Sequence, residues 1–160
     1  MYFDLEFDSY YGDGDINQIN SFENKLGYKF PKEYKEIVSQ YNGAFVVNKN
    51  IFRYFSNLVL EEVDMGSGMF LPFGAIDGGT ETMELKYKFP PEEFTKGLVI
   101  FSVLGNGDAL CFDYRTKSNI EFPSIVVWHH EGTAGDKNEI SEVAANFYEF
   151  LSLLYEEDDD

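Results

Sequence analysis

One cysteine, 2 histidines, one tryptophan and only 12 lysines and arginines against 29 acids are the scarce residues of this 160-residue chain. Each scarcity excludes something. A lone Cys111 forms no internal disulfide, so the fold must rest on packing. Its place in Asp108-Ala-Leu-Cys-Phe-Asp113, with no histidine close in sequence, predicts a buried strand cysteine rather than a nucleophile. With 2 histidines in all, His129 and His130, a histidine-rich metal centre is excluded. If both lie on one strand, they point to opposite faces and cannot share one metal ion. The shortage of cations leaves a formal net charge of −17. That field repels phosphate backbones and anionic headgroups, which removes nucleic acid and membrane surfaces as partners. Long apolar runs are missing too: Leu98 to Phe101 and Ile125 to Trp128 end far short of the ~20 residues that span a bilayer. Met1 to Tyr10 carries Asp4, Glu6 and Asp8 and has no basic leader, so a cytoplasmic protein is expected.

Core-forming residues are abundant. A hydrophobic fraction of 44%, with Phe 16 and Tyr 11, is too high for a disordered chain, and the length fits a single domain. That domain is expected over residues 1–155. The like charges of Glu156 to Asp160 predict a solvated, disordered acidic tail over 156–160.

The order of elements follows from caps and periodicity. Asp15 is placed to cap a helix carrying Ile16, Ile19, Phe22 and Leu26, which Gly27 closes. A second helix follows Pro31 and buries Tyr34, Ile37, Val38 and Tyr41 before Asn42-Gly43. Ala44 to Val47 and Ile51 to Phe55 read as a hairpin or as two successive strands, and Met69 to Phe73 as a strand. Residues 80–89 alternate like a strand, yet they are built from helix formers behind a possible Thr80 cap; both readings stay open. Two apolar runs joined through Gly105-Asn106-Gly107 make a β-hairpin over Leu98 to Tyr114, and Ser124 to His129 adds a strand. Gly132 to Asn138 is a polar loop. Ile140, Val143, Ala144, Phe147, Phe150, Leu151 and Leu154 recur at helical spacing, opposite Glu139, Glu142, Asn146 and Glu149, and predict one amphipathic helix lying on the sheet. The fold class is α+β: an N-terminal helix pair, a central, twisted, largely antiparallel sheet and a C-terminal helix.

The sequence offers no strong motif for chemistry. Asp13, Asp15 and Asn17 have the first spacings of a calcium loop, but Gln18 stands at the glycine position and Asn24 at that of the closing glutamate. Gly74 to Gly79 ends on Thr80 where a phosphate loop needs lysine. His129 and His130 have neither a Gly-x-Ser-x-Gly elbow nor a nucleophile beside them, which points to a structural or surface role. Trp128 reads as half-buried sheet rather than a ligand platform. A hydrolase working with a carboxylate pair stays open only because acids are so many. No catalytic residue, cofactor or metal is therefore expected.

Specific strings resemble a known group. Ile19-x-x-Phe22-Glu23-x-x-Leu26-Gly27-x-x-Phe30-Pro31-x-Glu33-Tyr34-Lys35, leading to Tyr41-Asn42-Gly43, looks like the opening of the SUKH superfamily, the Smi/Knr-type domains. Gly97-Leu98-Val99-x-Phe101, Gly105-Asn106-Gly107-Asp108, Val126-Val127-Trp128-x-His130-Glu131 and Val143-Ala144-x-x-Phe147-x-x-Phe150-Leu151 continue the likeness over nearly the whole domain. The chain departs from the usual pattern at Phe30, where Leu is common before the proline, and at Gly43-Ala44, where a second Gly is usual. The resemblance implies the α+β fold and a role as a non-enzymatic binding protein. Many bacterial members are inferred to be immunity proteins, antitoxins that neutralise a cognate polymorphic toxin, often a nuclease, while fungal relatives act as regulatory interaction scaffolds. A toxin partner is expected to be basic, since carboxylates then occupy the groove meant for phosphates. The acids in predicted loops or on polar faces are the candidate contacts: Glu61, Glu62 and Asp64; Asp77 and Glu81; Glu131 and Asp136.

Overall fold

The computed structural model describes residues 2–76, 78–116 and 121–157. Strand β1 (Phe7–Ser9) leads into helices α1 (Ile16–Leu26) and α2 (Lys32–Gln40). The Asp15 side chain accepts from Asn17 N, and Gly27 closes α1 in the left-handed conformation at φ 82°, where a side chain is strained. Gly14 lets the helices approach: a Cβ there would lie 2.0 Å from the Val38 carbonyl oxygen.

Strands β2 (Ala44–Val46), β3 (Ile51–Ser56) and β4 (Glu61–Gly66) precede helix α3 (Met83–Lys88). Strands β5 (Leu98–Val103), β6 (Ala109–Asp113), β7 (Ser124–Trp128) and β8 (Ile140–Ala144) precede helix α4 (Phe147–Leu153). All pairings are antiparallel, and the fold is α+β. The sheet comes in three pieces instead of one: β1-β2, β3-β4 and β5-β6-β7-β8. Helix α4 packs against β7, β8 and α2.

Aromatic rings fill the space between these layers. Tyr34 of α2, Phe101 of β5, Phe112 of β6 and Phe147 of α4 are at most 1% exposed. Phe101 stacks on Phe112 with centroids 4.3 Å apart, and Phe147 meets Tyr34 edge-on at 5.7 Å. Such pairs add about 0.5–1.5 kcal/mol each beyond simple burial. No helix among the described residues is long and apolar enough to cross a membrane.

Several sequence expectations need correction. The C-terminal helix is half the expected length, because Ile140–Ala144 forms β8. Its Ile-x-x-Val-Ala spacing fits either conformation, and pairing with β7 decides for the strand. Asn146 then caps α4 by accepting from Glu149 N at 2.8 Å. Glu139, expected on a polar helix face, is 6% exposed and accepts from Thr95 Oγ1 and Gly135 N instead. Strands β2 and β3 are successive and do not form a hairpin together. Their partners are β1 and β4, neither of which was anticipated from the sequence, because β1 is 3 residues long and β4 is acidic. Met69 to Phe73 makes only the bridge Phe70–Ser102. The open segment resolves as helix, capped by Thr82 rather than Thr80, with Oγ1 accepting from Leu85 N at 3.2 Å.

Candidate functional site

The β3-β4 hairpin carries the first acidic group. Phe52, Tyr54 and Ser56 turn inward, which leaves Arg53, Phe55, Glu62 and Asp64 on the solvent face, with Phe55 paired to Glu62 and Arg53 to Asp64. Asp64 is not a free charge. Arg53 donates to both its oxygens at 2.7 and 3.1 Å and Tyr155 donates a third bond, so the guanidinium and the phenol hold the carboxyl below its usual range. Glu61 and Glu62 are exposed beside a turn that also exposes Val59 and Leu60, the latter with φ 58°.

The other candidates lie elsewhere on the chain. Glu81 sits before α3 and binds Lys86 Nζ at 2.8 Å. Asp77 lies outside the described residues. Glu131 and Asp136 are exposed in the β7-β8 loop, with Glu131 3.9 Å from His130 Nε2. This loop meets the hairpin: Asn57 donates through Nδ2 to the Ile140 carbonyl at 2.7 Å, and Asn57 and Asp136 line one open crevice with Glu139 and Glu142. The hairpin turn and the last loop therefore border one edge, while Glu81 is tied to α3.

The sequence reading missed the most ordered polar cluster of the fold. Asp108, His129 and Ser141 are 2%, 1% and 0% exposed. His129 Nδ1 lies 2.8 Å from Asp108 Oδ2, and Nε2 lies 2.7 Å from Ser141 Oγ. A carboxylate at Nδ1 fixes the proton there, so Nε2 accepts from the serine hydroxyl, which in turn accepts from Asn57 N at 2.8 Å. The connectivity is that of an Asp-His-Ser triad, but Ser141 has no face open to a substrate and its oxygen is already engaged. Burial raises the Asp108 carboxyl, yet hydrogen bonds from His129 and His130 outweigh it and hold the group below its usual range. The cluster ties the start of β6, the end of β7, β8 and the end of β3 into one unit.

The two histidines do not point to opposite faces, because neither lies within β7. Regular alternation stops at Trp128, so His130 turns back and its Nδ1 and main-chain N–H reach Asp108 Oδ1 at 2.6 and 3.1 Å. Both rings converge on one carboxylate. Nor is His129 without a hydroxyl beside it, since β8 brings Ser141 from twelve residues away. The signal was the β6-β7 register: extended one step beyond Ala109–Trp128, it sets Asp108 beside His129. Cys111 behaves as expected, 0% exposed with burial pushing its thiol well up. Among the described residues no group of three or more His, Cys, Asp or Glu is placed to hold a metal ion.

The fold and this polar cluster define an α+β domain whose best-formed hydrogen-bonded constellation serves its own interior. Residues 15–153, from the cap of α1 to the last residue of α4, match the model of the SMI1 / KNR4 family (SUKH-1), and the chain belongs to that family. No curated protein matches the chain.

Proposed function

We propose that the protein is a non-enzymatic, cytoplasmic immunity protein that binds and neutralises a cognate toxin with a basic active-site groove. Family membership over residues 15–153 is the observation that carries this reading. The charge of −17 supports the sign of the partner, because a nuclease presents cations to phosphate and carboxylates compete for them. The enclosure of Ser141 and His129 speaks against hydrolysis by the Asp108-His129-Ser141 constellation. Glu61 and Glu62 with Glu131 and Asp136, along the edge shared by the hairpin and the last loop, are the proposed contacts. Asp64 is held by Arg53 and Tyr155 and acts as a brace there. The folded unit is proposed to end at Tyr155, which exchanges main-chain hydrogen bonds with Ile51 at 2.9 and 3.1 Å.

The test is co-expression with a candidate toxin gene taken from the neighbourhood of this one, whose presence there is part of the proposal. The protein should restore growth to cells that produce that toxin and should copurify with it in a fixed ratio. Normal toxicity in its presence would defeat the immunity reading and leave a regulatory scaffold as the family role.

A further inference from the structure

A cleft of about 460 Å³ opens between the C-terminal half of α1, helix α3 and the start of β5, within the ~300–1,000 Å³ of small-molecule sites. Phe22, Leu26, Met83 and Phe94 supply apolar walls, and Lys86 and Lys96 supply its charged side chains. None of the described residues lining it is Asp or Glu, in a chain with 29 of them. Of the nearby carboxylates, Glu23 accepts from Phe30 N and Lys35, Glu84 accepts from Gly74 N, and Glu81 fixes the Lys86 ammonium, while the exposed Glu92 and Glu93 line a separate crevice with Trp128 and His130. Lys86 and Lys96 thus give an apolar cleft of this acidic protein a cationic lining.

We propose that this cleft binds a small organic anion, a carboxylate on an apolar body, whose chain lies on Phe22, Met83 and Phe94 while Lys96 meets its charge. A ligand of this sign runs against the net field of the protein, so only local complementarity accounts for it. The sole tryptophan gives a built-in reporter, because the Trp128 ring meets Phe94 edge-on at 5.1 Å.

The experiment titrates the full chain with octanoate and, separately, with octyltrimethylammonium, following Trp128 emission and calorimetric stoichiometry. Octanoate should bind one to one, change the emission and bind more tightly than the cation. Lys96→Glu, an exposed position, should keep the melting temperature and weaken octanoate about tenfold, the loss of one charged hydrogen bond. Lys96→Gln should fall between the two. Tighter binding of the cation, a silent Trp128, or an affinity unchanged in both variants would overturn the proposal.

Discussion

Removing the Asp108 carboxylate should unlock the junction of β3, β6, β7 and β8. Asp108→Ala leaves His129 Nδ1, 1% exposed, without an acceptor, and a buried donor deprived of a charged partner costs about 1.5–3 kcal/mol. The His130 main-chain N–H adds about 1 kcal/mol, whereas the His130 ring, with its side chain 42% exposed, turns to water at little cost. The expected total is about 2.5–4 kcal/mol, with Asp108→Asn near half of that because one acceptor oxygen survives. The sign with pH follows from the lowered folded-state value: the carboxylate's contribution is complete above the ordinary aspartate value of about 3.9 and disappears as pH falls through the folded one. Urea denaturation of wild type and both variants at neutral pH and at a series of acidic values measures this, with the slope held constant as the check on two-state behaviour. An Asp108→Ala protein within about 1 kcal/mol of wild type would refute the structural role assigned to the cluster.

Three further outcomes are expected. Phe147→Ala, which empties a site 1% exposed amid five core rings, should cost about 3–5 kcal/mol in the same assay; a loss under about 1 kcal/mol would mean that α4 is peripheral. Tyr34→Phe should be neutral or stabilise by up to about 1 kcal/mol, since the buried Tyr34 hydroxyl has no hydrogen-bond partner among the described residues, and a clear loss of melting temperature would show that the oxygen is satisfied. A chain ending at Tyr155 should melt with the full-length protein, because Glu156 and Glu157 are exposed, and a fall as large as that of a core variant would show the tail to be docked.

Local signals and non-local pairing explain which parts of the fold the sequence shows. Helix α1 is legible because Asp15 and Gly27 bound it within one stretch of chain, and the β5-β6 hairpin because Asn106-Gly107 suits the turn by itself. Residues 140–144 are not, since their apolar spacing serves helix and strand alike and only the neighbouring β7 edge selects the strand. Strand β4 has the composition of a solvent loop, and half of what makes it a strand is the buried face of β3 opposite. The acids were visible one by one, but their roles were not. That Asp64 is braced while Glu61 and Glu62 stand free depends on Arg53 and Tyr155, the latter 91 residues away. The Asp108-His129-Ser141 cluster was invisible for the same reason, each member coming from a different strand end.

The most direct measurement of the central claim is the association rate of the protein with the toxin that the proposal assigns to it, followed across a salt series. The rate should be high at low salt and fall steeply as screening rises, and replacing Glu61 and Glu62 by lysine should lower it while leaving the melting temperature unchanged. A rate that is flat in salt, and indifferent to reversal of these two acids and of Glu131 and Asp136, would contradict an acidic protein that neutralises its partner by covering a basic groove.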